Sequence, residues 1–386
     1  SAQEERYSRG SQDLSDKKGA YGWNEAIRPE TRAAALLDPS MAGAEKKREA
    51  YLKAGFGTVL SHVQDGIVRG TGALAVLSED PRRALLIPDA SAHFSFRKGS
   101  SSQDYPRSLM GATALLKQTH FDATWYADAS RLNERLETNL SLEAFNGQRD
   151  LPVFFHAGGW QDILRASAVA DVVALKTPYI MFAGNDTYQR LEEVQATGSD
   201  LVLSLNFPTP FDVSDPYLSR LIGLDELKHW ELAPSNAARV HMAGIRFAFT
   251  TDGLNDVGST WSAVRKCIQH GLPADAALAA LTEVPAAMVG AENRVGQIQP
   301  GFEANMLITD GPLFDASTVL YEHWVQGEQQ IYQNRDIVDI RGMYDVTLDE
   351  QVWRMEVKGS AENPKAHFLL DSTEFKLGME LDGRTV

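Results

Sequence analysis

Four short runs of the chain are apolar without alternating: PVFFH at 152–156, PYIMFA at 178–183, DLVLSL at 200–205 and RFAFT at 246–250. Such runs predict strands buried on both faces, as in a parallel sheet covered by helices. Helix-forming stretches over 160–173, 187–196, 216–229, 234–243 and 260–269 alternate with them. Strands alternating with helices imply parallel pairing through right-handed crossovers, with enough units for a barrel. Upstream, MAGAEKKREAYLK at 41–53 predicts a helix feeding a Gly-punctuated strand in AGFGTVLSHV, 54–63. ALAVL and RALLIPDASAHF form two apolar runs around a turn-like SEDP, and residues 107–145 are helical by composition. Beyond residue 295 the pieces become short and strand-like, and from 340 the polar–apolar alternation has period two, the mark of antiparallel strands. The expected organisation is an irregular segment (1–20), a β/α barrel (21–294), a small β domain (295–339) and an antiparallel β module (340–386).

At 386 residues, with 43% hydrophobic and 23% charged positions, the chain has the composition of an ordinary globular protein. Its formal net charge of -15 argues against a nucleic-acid partner, because phosphate backbones are held by clustered Lys and Arg, and the longest basic run is Lys46, Lys47, Arg48. No apolar stretch reaches the length of about 18 residues that a membrane helix needs. A single cysteine, Cys267, excludes an internal disulfide and reads as a small buried hydrophobe. The opening begins at Ser1 without an initiator methionine and reads as if cut from a longer protein.

The run at 152–156 ends on His156 and opens into Ala157, Gly158 and Gly159. In α/β folds the carboxyl ends of strands are where ligands bind. A lone histidine there is also a common packed residue, and the choice needs further residues.

Three segments supply them. PVFFHA resembles the fifth barrel strand of the amidohydrolase superfamily, in particular its imidazolonepropionase-like branch. RFAFTTDG, 246–253, resembles the eighth strand. ALAALTEVPAAMVGAENRVGQIQPGFEANMLITDGPLF, 277–314, resembles the helix after strand eight and the return into a small β domain, and VLYEHWVQGEQQIY completes it. AGFGTVLSHVQDGIVRGTGALAVL, 54–77, and YPRSLMGATALLKQTHFDATWY, 105–126, are similar to segments of long exported tandem members, so that the likeness covers roughly residues 20–335.

The resemblance implies a TIM-like (β/α)8 barrel of amidohydrolase type with a small β-sandwich domain and a C-terminal antiparallel β module. It implies a metal-dependent hydrolase of C–N bonds (amide, cyclic amide or peptide-like) in a small substrate. The divalent ion, zinc in the first place, would be held by His156 and Asp252, with Asp252 also the catalytic proton acceptor, and His62, at the end of GTVLSH, is a candidate third ligand or substrate contact beside its plainer reading as a strand-end histidine. Arg69, in GIVRGTGAL, is the candidate for a substrate carboxylate, since a guanidinium pairs with one bidentately; a surface salt bridge is the plainer reading.

Two features of the family pattern are missing. No His-x-His occurs in the chain, and at the sixth strand YIMFAGNDTY offers Gly184, Asn185 and Asp186 where a histidine is expected. Asp186 reads as the cap of a helix starting at Thr187. His120 reads as packed or exposed in a helix, and His93, His229, His241, His270, His323 and His367 as structural or surface residues. The alternative function is therefore a barrel that has lost its metal and serves a structural or regulatory role beside a second catalytic half; the expected partners are a small-molecule or peptide-like substrate and either such a second half or further copies in a homo-oligomer. Export follows only from the likeness to the long tandem proteins.

Overall fold

In the computed structural model, residues 14–37, 43–78, 80, 82–132, 137–173, 175, 178–333, 339–348, 351–359, 364–370 and 373–378 are described. Helix α1 (Ala44–Lys53) leads into strand β1 (Thr58–Ser61), followed by β2 (Val68–Val76) and β3 (Leu85–Ser95). Helices α2 (Leu109–Arg131) and α3 (Leu140–Gly147) precede β4 (Val153–His156), α4 (Trp160–Ala170), β5 (Ile180–Ala183), α5 (Leu191–Ala196) and β6 (Leu201–Ser204). Then come α6 (Leu224–Leu232), α7 (Asn236–Met242), β7 (Phe247–Thr250), α8 (Thr260–Gln269), α9 (Ala274–Ala279) and α10 (Glu283–Met288). Of the irregular segment expected at 1–20, residues 1–13 lie outside the described residues and 14–20 form neither helix nor strand. The helical stretch at 107–145 is two helices, because Asn139 accepts a hydrogen bond from the Leu142 amide and starts α3 as a fresh N-cap.

The strands β1 to β7 form one sheet in sequence order. From β3 onward each neighbour is parallel, which gives the TIM-like α/β arrangement. The first two pairings, β1 with β2 and β2 with β3, are antiparallel, and among the described residues the sheet has seven strands where eight were expected.

Alternation within the short strands sorts the core into two layers. Val153, Phe155, Met181, Leu201, Leu203 and Phe247 share one buried cluster with Leu116, Phe145, Ile163, Val169, Val240 and Val264 of the helices. Phe154, Ile180, Val202 and Ala248, one residue out of phase, form a second cluster with Leu74 and Ala90 on the opposite face. Burial on both faces is why these strands are apolar throughout. Cys267 lies in the helix-side layer, 1% exposed, and burial pushes its thiol up to about 12.

The chain divides into two compact units, one of Ser1–Met306, Phe314–Ala316 and Trp324–Glu328, the other of Leu307–Leu313, Ser317–His323 and Gln329–Val386. A three-stranded sheet is ordered β10-β9-β8 from β8 (Met306–Thr309), β9 (Leu320–Val325) and β10 (Glu328–Ile331). The period-two stretch near the C-terminus is an antiparallel meander of β11 (Gly342–Leu348), β12 (Gln351–Gly359), β13 (Pro364–Leu370) and β14 (Thr373–Gly378).

Candidate metal centre

His156 is the last residue of β4, on the same face as Phe154 and opposite Ser95 of β3 in the parallel register. On β3 the polar residues Asp89, Ser91, His93 and Ser95 recur at every second position, so His93 shares that face. His62 follows β1 directly. One ring nitrogen from each of His62, His93 and His156 lies within 4.8 Å of the others, and this is the only such group found among the described residues. His93 was expected to be structural and is instead a member of the cluster, because the β3–β4 register sets it beside His156. Its Nδ1 is hydrogen-bonded to His156 Nε2 at 3.1 Å, and its Nε2 to Ser91 Oγ at 2.8 Å.

The three rings pack among aromatic neighbours. His62 stacks on His93 with centroids 4.3 Å apart, His93 on Phe154 at 5.3 Å, and His156 on Phe182 at 4.2 Å and 11°. Phe182 is the β5 residue paired with His156. This apolar setting disfavours the imidazolium. Burial, with the Arg69 charge adding to it, lowers His62 to about 4 and His156 to about 2, while Asp252 acts in the opposite sense on His62. His93, fully buried, is held well below its ordinary value for the same first reason.

Neutral imidazoles are what a divalent ion requires as donors. His62 Nδ1 is buried and makes no hydrogen bond of normal geometry, although the Val63 backbone acts on the ring, and a cation would satisfy it. Tetrahedral bonds of about 2.0–2.1 Å place ligand nitrogens roughly 3.4 Å apart, so the rings need a contraction of little more than an ångström to hold zinc. The residues fit such an ion.

The remaining candidates sit around this group. Asp252, two residues past β7, is exposed and lies outside the three-nitrogen group; its charge acts on both His62 and Arg69. Arg69 lies on β2 and is 6% exposed, so it is no surface salt bridge. His120 is on α2, buried against Phe145, with its Nδ1 unpartnered and away from the cluster. Asp186 does not cap its own short helix: its carboxylate accepts from the Trp160 amide at 3.2 Å and so caps α4. The loops after β4 and β5 run side by side, and a sequence reading sees only the nearer helix. A cleft of about 340 Å³ opens beside these loops, lined by Gly158, Asp186, Ser204, Asn206 and His229 among others.

The Amidohydrolase family sequence profile matches residues 234–340. No curated protein matches the chain. Among solved structures, an amidohydrolase from Thermotoga maritima aligns with a TM-score of 0.64 at 19% identity, over 79% of each chain. A Xaa-Pro dipeptidase with bound methionine aligns at 0.35 and 17%, over 50% of this chain and 47% of that one. An adenosine deaminase from Xanthomonas campestris with bound zinc aligns at 0.31 and 15%, over 65% and 62%. Over residues 234–340 the chain is thus similar to the Amidohydrolase family, and the sheet that carries the histidine cluster has the fold of the Thermotoga maritima amidohydrolase.

Proposed function

We propose that the chain is a metal-dependent hydrolase of carbon–nitrogen bonds in small amide or peptide-like substrates, with His62, His93 and His156 as the ligands of one divalent ion. The convergence of three neutral imidazoles within 4.8 Å carries this reading. Imidazole donors suit zinc, the ion we assign. A bound zinc ion supplies an acidified water and an electrophile for the carbonyl oxygen. Asp252, exposed at the end of β7 and electrostatically coupled to His62, accepts the proton released during attack and returns it to the leaving nitrogen. The aromatic rings of Phe154 and Phe182 keep bulk water from the cluster.

The imidazolonepropionase-like branch, residence in a longer exported tandem protein and pairing with a second half belong to the same proposal and rest on sequence likeness alone. A second reading, a barrel without catalysis, is favoured by Phe182, which stacks on His156 from the strand where the family's sixth-strand histidine is expected. Elemental analysis of the full chain after zinc-replete expression separates the two. About one equivalent of zinc, lost in a His62→Asn/His93→Asn variant, supports the hydrolase. Well under one equivalent in the unaltered protein overturns it.

A further inference from the structure

Strand β2 pairs with β3 through Val68↔Phe94 and Thr71↔Ala92, so that Arg69 and Gly70 together stand opposite the single residue His93. This is a β-bulge, a device that re-aims a side chain and that concentrates near functional sites. Gly70 has φ +82°, and a Cβ there would meet Thr31 O at 1.9 Å, so the bulge is fixed by the segment packed over it. The bulge holds Arg69, a residue only 6% exposed. Its Nε donates to Gly66 O at 3.0 Å, and among the described residues no carboxylate forms an ion pair with it. Asp65, the acid whose charge acts on it most, is committed elsewhere: it pairs with Arg28 and accepts from the amide and hydroxyl of Ser100.

A buried cation without a counter-ion is costly unless a ligand supplies one. Arg69 stands across the β2–β3 pairing from His93, and its charge acts on His62, His93 and His156. Arg97, two residues past β3, is a second cation acting on Arg69. It is exposed, has no ion pair among the described residues, and its Nη2 lies 3.9 Å from where a Cβ on Gly158, a residue lining the cleft, would be, with Asp162 Oδ2 at 3.4 Å from the same point. Arg69 and Arg97, neither of them ion-paired among the described residues, lie near three neutral imidazoles and favour an anion there, against the opposing charges of Asp252 and Asp162.

We infer that Arg69, assisted by Arg97, binds a carboxylate of the substrate, which is therefore an acidic amide of the N-acyl amino acid class. This rests on the hydrolase reading of the same site and adds the substrate's charge to it. Arg69 takes the carboxylate from within, Arg97 closes over it from the rim, and the amide carbonyl then lies towards the histidines. The polar groups of Asp186 and Asn206 line the space for the remainder.

The probes are hippurate and its uncharged carboxamide hippuramide, titrated by ligand-observed NMR into the full chain, zinc-loaded and again after chelation and dialysis. Hippurate binds about tenfold more tightly than hippuramide, the size of one charge-assisted contact. Arg69→Gln abolishes that preference and Arg97→Gln reduces it, the latter at an exposed position where folding is unaffected. Arg69→Lys retains part of it and stands in if the glutamine variant fails to fold. Equal affinities, no binding of either probe, or a preference that survives Arg69→Gln overturns the inference. So does a preference that disappears when zinc is removed, because the carboxylate is then bound by the ion. Zinc well below one equivalent together with an intact preference leaves the anion site standing while the hydrolase reading falls.

Discussion

The imidazoles of His62 and His156 are neutral in the fold at pH values where a free imidazole is charged, and that difference is a stability term. Their folded values, about 4 and about 2, lie below the ordinary 6.5, so on acidification the unfolded chain takes up protons first. Stability is therefore fully present above about pH 6.5 and declines as the pH falls towards 4 for His62 and further for His156. For metal-free protein the loss between pH 7 and 5 is roughly 2 kcal/mol or more, as read by urea denaturation at the two values. His62→Asn flattens part of that slope; an unchanged slope shows that the ring is solvated in the fold. Ser91 acts on the same cluster at one remove. Its Oγ holds His93 Nε2 at 2.8 Å and so leaves Nδ1 to face the cluster. Loss of such a partner typically costs 10–100-fold in metal affinity. Ser91→Ala is expected to weaken zinc by about tenfold in a chelator competition, with little change in melting temperature.

At the scale of elements, the strand–helix alternation from 152 to 269 is legible because each strand is buried on both faces and so reads as an unbroken apolar run between helix-forming stretches. His156 was legible for the same reason, as the polar end of an apolar run. His93 was not singled out, although the signal was present: Asp89, Ser91, His93 and Ser95 alternate along β3, which marks one polar face. What the sequence withholds is which strand lies beside which. His62 and His93 meet only because β1, β2 and β3 fold back on one another in antiparallel order, a departure from the expected barrel, and the bulge at Arg69–Gly70 depends on that pairing. Gly70 is the point at which the element can be tested. At φ +82° and with Thr31 O in the place of a side chain, Gly70→Ala must shift backbone against backbone. A destabilisation of about 2–3 kcal/mol in urea is expected, of the order of other strained positive-φ substitutions. A change under about 0.5 kcal/mol means the strap over β2 yields freely, and the fixed aim of Arg69 goes with it.

For the molecule as a whole, a ligand that binds only the folded state stabilises it by mass action, by about 2.7 kcal/mol at a free concentration one hundred times its Kd. The three rings proposed as ligands come from the residue after β1 and from β3 and β4, strands that unfolding separates, so such an ion has no equivalent site in the unfolded chain. Zinc at that excess is expected to raise the melting temperature by several degrees relative to chelated protein, given a shift of roughly 2–4 °C per kcal/mol for domains of this size class. The His62→Asn/His93→Asn variant should melt at one temperature with and without zinc, since a single imidazole and an exposed carboxylate do not make a zinc site. Adventitious binding at the many surface acids of a chain with net charge -15 would instead shift both proteins equally. The difference between the two shifts, and not the shift of the unaltered protein alone, is the quantity that assigns the ion to the histidines. If that difference is zero the aromatic packing around His156 is the whole reason for the cluster, and the fold is using its imidazoles as core.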